Sequence, residues 1–100
     1  MIKKDSEKII EKTIRLKVEK LGGKSYKFIS TNNSGVPDRL IILPGGKIAF
    51  VEVKSTGEKP RKLQEVIIGR LRALGCKVYV IDRLEQIDGM LEEIGGSNGI

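Results

Sequence analysis

Apolar side chains at Ile10, Ile14, Val18 and Leu21 recur every three or four positions among charged neighbours, which predicts an amphipathic helix from Ser6 to Leu21. Ser6 offers an N-cap oxygen, and Gly22-Gly23 a stop. Extended back one turn, the stripe reaches Glu7, so a carboxylate stands at the N-terminal end of the inward face. Glu11 lies just off the stripe, one turn later. An acid here also simply favours the positive end of the helix dipole. The period then drops to two. Ser25 to Ser30 reads as a strand with Tyr26, Phe28 and Ser30 on one face and Lys27 and Ile29 on the other. A polar loop, Thr31 to Val36, leads to Pro37, which disfavours helix before it and shapes the start of the next strand.

Two apolar runs follow around Pro44-Gly45-Gly46 and read as a hairpin. Leu40, Ile42, Ile48 and Phe50 line one face, and Ile41, Leu43, Ala49, Val51 and Val53 the other, so both faces are expected to be covered. Ser55 to Lys62 is a basic loop. A second helix, about Arg61 to Ala73, carries the stripe Leu63, Ile67, Leu71 and Leu74, with Gln64 one position away, and Gly75 ends it. Lys77 to Ile81 is a fourth strand, Leu84 to Ile94 a last helix, and residues 95–100 a loose tail. The link from strand three to strand four has the length of a crossover, which makes them parallel neighbours. The expectation is one α/β domain over residues 1–100. Its mixed four-stranded sheet is flanked by helices in the order α-β-β-β-α-β-α.

The hairpin's open end breaks its own apolar pattern. If the turn is symmetric about Gly45, Asp38 lies opposite Glu52 on one face, and Lys54 points the same way. A two-residue turn at Gly45-Gly46 would instead send Glu52 to the other face. In the first register two carboxylates and an amine converge. The carboxylates repel, so one must keep its proton unless a cation sits between them, and a hard divalent ion with oxygen ligands resolves the conflict.

Charge sharpens this picture. The 100 residues carry a formal charge of +6. Residues 1–27 and 54–77 are each net +5, whereas 82–100 are net −4. A basic front suits a polyanion and equally suits a lysine-rich solvated surface. Lys27, Arg39, Lys59, Arg61 and Lys62 are the candidate phosphate grips. The chain has no histidine, which removes Ser-His and Cys-His catalysis and histidine zinc sites. Cys76 is the single cysteine, placed for a small buried thiol. No apolar run is long enough to span a membrane, and the start lacks a signal-peptide core, so a cytoplasmic protein is expected.

Several motifs stand in order. They are Glu7 on the first helix, Gly35-Val36-Pro37-Asp38-Arg39, Phe50-Val51-Glu52-Val53-Lys54, and Leu63-Gln64. Together with Gly22-Gly23, Lys27-Phe28 and Leu71…Gly75…Val78 they resemble the PD-(D/E)XK nuclease superfamily. More narrowly the chain is similar to the VRR-NUC family, its stand-alone virus-type members in particular, from about Glu7 to Leu91. The resemblance implies a restriction-endonuclease-like fold that hydrolyses phosphodiesters with Mg²⁺ or Mn²⁺. In it Asp38 and Glu52 are acidic metal ligands, the Val53 carbonyl a further ligand, and Glu7 the first-helix acid. Lys54 is the motif lysine and Gln64 the family glutamine. The resemblance further implies a homodimer acting on branched DNA such as four-way (Holliday) junctions, in the host cytoplasm if virus-encoded. Flap or other branched-DNA cleavage, and a DNA-holding module that does not cut, are the alternatives; a sequence-specific restriction subunit lacks room for a recognition domain.

Overall fold

The structure is a computed structural model that describes residues 4–30 and 35–95. The order of elements is α1 (Glu7–Lys20), β1 (Lys24–Lys27), β2 (Arg39–Leu43), β3 (Lys47–Val53), α2 (Lys62–Ala73), β4 (Val78–Ile81) and α3 (Ile87–Gly95), with a 3₁₀ turn at Leu84–Gln86 before α3. One sheet holds the strands in the order β1-β2-β3-β4. The first two pairings are antiparallel and the last is parallel, as the crossover length requires.

The hairpin is symmetric about Gly45. Arg39 pairs with Val51, Ile41 with Ala49 and Leu43 with Lys47. Gly45 and Gly46 both take positive φ, 90° and 73°, which a side chain resists and the three-residue turn needs. The register therefore sets one strict alternation of faces. Ile41, Leu43, Ala49, Val51 and Val53 face α1 and α3 and join Ile10, Ile14, Val18, Ile81, Ile87, Met90, Leu91 and Ile94 in the core. Full burial of one such side chain contributes about 1.5–3 kcal/mol. Ser6 caps α1 by accepting the Ile9 N–H at 3.2 Å.

The opposite face departs from expectation. It is covered on one side only, by α2, and Ile48 stays half exposed, with Leu40, Ile42 and Phe50 half-buried. The buried residues of α2 are Gln64 and Ile68, and of the expected stripe only Ile67 and Leu71 are half-buried. Leu63 is half exposed, and Leu74 is 81% exposed. The helix is rotated because Gln64 is drawn in by a polar partner on β3. Leu21, the C-cap of α1, is likewise exposed, and Cys76 is half-buried rather than buried. Gly95 remains within α3 and is buried; the rest of the expected tail, 96–100, and most of the polar loop, 31–34, lie outside the described residues.

A polar clasp joins the start of α1 to the far end of the sheet. Thr56 Oγ1 accepts the Asp5 N–H at 2.8 Å and donates to the Asp82 carbonyl at 2.7 Å. Asp5 Oδ2 accepts the Leu84 N–H at 2.9 Å. These bonds fix the chain just before Glu7 and just after Lys54, so both flanks of the hairpin's open end are held.

Candidate active site

Three elements deliver the chemistry to that open end. β2 begins one residue after Asp38, β3 ends one residue after Glu52, and α1 starts at Glu7. Gly35 makes the approach to Asp38 passable. A Cβ there would lie 2.9 Å from both the Ile67 side chain and the Leu63 carbonyl, so only glycine lets the loop run this close under α2.

Continuing the hairpin register by one step sets Asp38 opposite Glu52, the arrangement the symmetric turn predicts. Both acids are shifted upward, and the charge of Asp38 is felt by Glu52. Burial raises the Asp38 carboxyl above its ordinary range, and the Glu11 and Glu7 charges raise it further against the lowering effect of the Val53 N–H. Glu52, 3% exposed, is raised first by burial and next by Asp38, with Lys54 pulling it back. The Val53 N–H donates to Asp38 Oδ1 at 3.4 Å.

Two groups of side chains meet at Asp38. On the α1 side, Glu7, Glu11 and Asp38 bring one carboxylate oxygen each within 4.8 Å of one another. On the α2 side, Glu52 Oε2 accepts Gln64 Nε2–H at 2.9 Å and lies 3.5 Å from Lys54 Nζ. Gln64 Oε1 accepts the Arg61 N–H at 2.7 Å, so one side chain both caps α2 and holds Glu52. Glu7 is exposed rather than turned into the core, and Glu11 is the half-buried member of the pair. Glu11 is thus the acid that the apolar stripe left to one side. Its spacing of four from Glu7 is the signal that places both on one helix surface.

The donor set fits a hard divalent cation. The grouped side chains are all carboxylates, and the Asp38 carboxyl is raised first by burial and then by the Glu11 and Glu7 charges beside it, a strain that a bound cation would relieve. Glu7, Glu11 and Asp38 are the grouped acids able to hold such an ion, whereas the expected ligand Glu52 stands outside that group, bonded to Gln64 and beside Lys54; Val53 follows Glu52 on β3.

The basic residues divide. Lys27, Lys59, Arg61 and Lys62 are exposed, the last three running into the start of α2. Arg39 is different. Its guanidinium folds back onto the sheet, with Nε 3.6 Å from Glu11 Oε2 and Nη1 donating to Ser25 Oγ at 3.4 Å. It lies against the acidic cluster instead of reaching into solvent.

The VRR-NUC domain family matches residues 2–83. "Putative nuclease p44" of Acyrthosiphon pisum secondary endosymbiont phage 1 is 51% identical over 82 residues, covering 82% of this chain and 85% of that protein. A solved structure described as a VRR_NUC domain superposes with a TM-score of 0.80 at 36% identity, covering 88% of this chain and 97% of the other. The matched span takes in both flanks of the hairpin and the whole of α2, and the chain belongs to the VRR-NUC family of nucleases.

Proposed function

We propose that this nuclease is a divalent-metal-dependent, structure-specific DNA endonuclease. The observation that carries the reading is the convergence of Asp38, Glu52 and Lys54 at one end of the hairpin, with both acids shifted upward. A bound Mg²⁺ or Mn²⁺ supplies Lewis acidity toward a phosphate oxygen and lowers the pKa of water. Asp38 and Glu52 hold the ion, with the Val53 carbonyl and the α1 acids Glu7 and Glu11 able to complete its shell. Lys54, half-buried beside Glu52, orients the attacking water or neutralises the charge that develops on the phosphate. Gln64 keeps Glu52 turned toward the site. Lys59, Arg61 and Lys62 with the N-terminus of α2 take flanking phosphates, and Lys27 takes them from the other edge.

The substrate we infer is branched DNA, with a four-way junction cut by a homodimer. A two-fold pair of sites matches the two-fold symmetry of a junction. The apolar outer side of α2, where Leu63, Val66 and Leu74 are exposed, supports the pairing of two copies. The test is cleavage of junction, flap, splayed and linear duplex DNA with Mg²⁺, Mn²⁺ or EDTA, alongside sizing by light scattering. Paired nicks in the junction by a dimer, lost in EDTA, are expected. Preference for a flap, or a strictly monomeric enzyme at high concentration, counts against junction resolution, and binding without cleavage in either metal counts against the nuclease assignment.

A further inference from the structure

The sheet face that carries Glu52 has an open half beside the acids. Tyr26 pairs with Leu40, which pairs with Phe50. One row on, the Phe28 N–H donates to the Asp38 carbonyl at 2.8 Å, so Phe28 adjoins Asp38 on the side away from Glu52. The Phe28 ring meets Phe50 edge to face, with centroids 5.7 Å apart and planes at 70°, which confirms that both rings share this face. Among the described residues, packing stops there. Tyr26 is 53% and Phe28 36% exposed, although aromatic rings of this size ordinarily find cover.

We propose that Tyr26 and Phe28 form a stacking platform for an unpaired nucleobase of the strand whose phosphate is held at Asp38. The proposal rests on the nuclease reading and specifies its substrate. Base–aromatic stacking needs an exposed base face, which a paired, stacked duplex withholds and an opened strand provides. Neighbouring strands are about 4.8 Å apart, so the platform begins within a single nucleotide's reach of Asp38. Charge selects the same occupant. Lys24 shares the face of Tyr26, and Lys27 is exposed on the same edge strand. These lysines attract a polyanion and oppose a second copy of the chain, which would set them against their own equivalents. The platform therefore selects DNA that is already splayed beside the cleaved bond.

The experiment measures affinity for a splayed duplex and for a fully paired duplex of the same sequence, in a Lys54→Ala background that keeps the DNA intact. The splayed DNA carries 2-aminopurine at the unpaired positions beside the branch. Phe28→Leu and Tyr26→Leu keep apolar cover on the sheet, and Tyr26→Leu, the more exposed position, serves if Phe28→Leu does not fold. Each is expected to lower the splayed-over-paired preference about tenfold. The 2-aminopurine quenching seen with the native rings is expected to be lost, and Phe28→Tyr to retain both signals. An unchanged preference, or an equal loss on both DNAs, overturns the platform. So does light scattering in which Phe28→Leu splits a dimer, because the face would then belong to a second copy. If the native chain cleaves DNA while any of these holds, only the platform falls; if it never cleaves with Mg²⁺ or Mn²⁺, the nuclease reading falls and takes the platform with it.

Discussion

Asp38 accepts the Val53 N–H on one oxygen and shares a space of 4.8 Å with Glu7 and Glu11, while Glu52 stands across the hairpin from it. Replacement of Lys54 by alanine leaves this carboxylate geometry in place and removes the adjacent cation. Cleavage is expected to fall by about 10²–10⁴-fold with folding unchanged by circular dichroism, and a loss under tenfold would deny Lys54 a part in the reaction. The acids also make a pH prediction. Both hold protons to higher pH in the folded chain than their ordinary values of 3.8 and 4.5, so the folded state binds protons more tightly than the unfolded state. Stability without metal is then greatest below those ordinary values, as far as these two groups decide it. It falls as pH rises through the raised folded values. Asp38→Asn is expected to flatten that fall and to raise the metal-free melting temperature at pH 7. The same variant is expected to lose the stabilisation that Mg²⁺ or Mn²⁺ at the proposed site would give the native chain, about 2.7 kcal/mol at a hundredfold excess over Kd. A steeper pH profile in the variant would contradict the shifts.

Among the elements, α1 and the hairpin are legible from sequence because one local signal settles each. Ile10, Ile14 and Val18 fall at helical spacing and are fully buried, and the Pro-Gly-Gly turn fixes a register in which the apolar faces separate cleanly. The orientation of α2 is not legible that way. Its apolar stripe points to Leu63 and Leu74, yet the bond from Gln64 to Glu52 turns a polar residue inward and leaves the leucines outside. A long-range hydrogen bond overrides periodicity, and only the motif, not the pattern, marks Gln64 as special. The clasp of Asp5, Thr56 and Asp82 has no sequence signal, because its partners are 51 and 26 residues apart. Gln64→Leu removes the acceptor of the Arg61 N–H and the donor to Glu52 together. It is expected to cost about 1–3 kcal/mol in denaturant unfolding, with local loosening of α2 seen by hydrogen exchange at its first turn. Unchanged protection there would separate α2 from the site.

Across the whole molecule, the uneven charge read from sequence becomes directional once folded. The exposed cations of the 59–62 loop lead into α2 beside Glu52, whereas Arg39 is taken up by Glu11. DNA affinity is therefore expected to fall steeply with salt. Lys59→Ala together with Lys62→Ala should flatten the slope by about two, whereas Arg39→Ala acts through Glu11 and should leave the slope nearly unchanged. Equal slopes for the native chain and the double variant would remove that loop from the DNA path. The metal site is the claim on which the rest depends. Anomalous diffraction from crystals soaked in Mn²⁺ tests it most directly: a peak in contact with the Asp38 carboxylate, shared with Glu52 or with the α1 acids, is predicted. Clear density for these side chains with no peak among them, or manganese bound only elsewhere, would contradict the account.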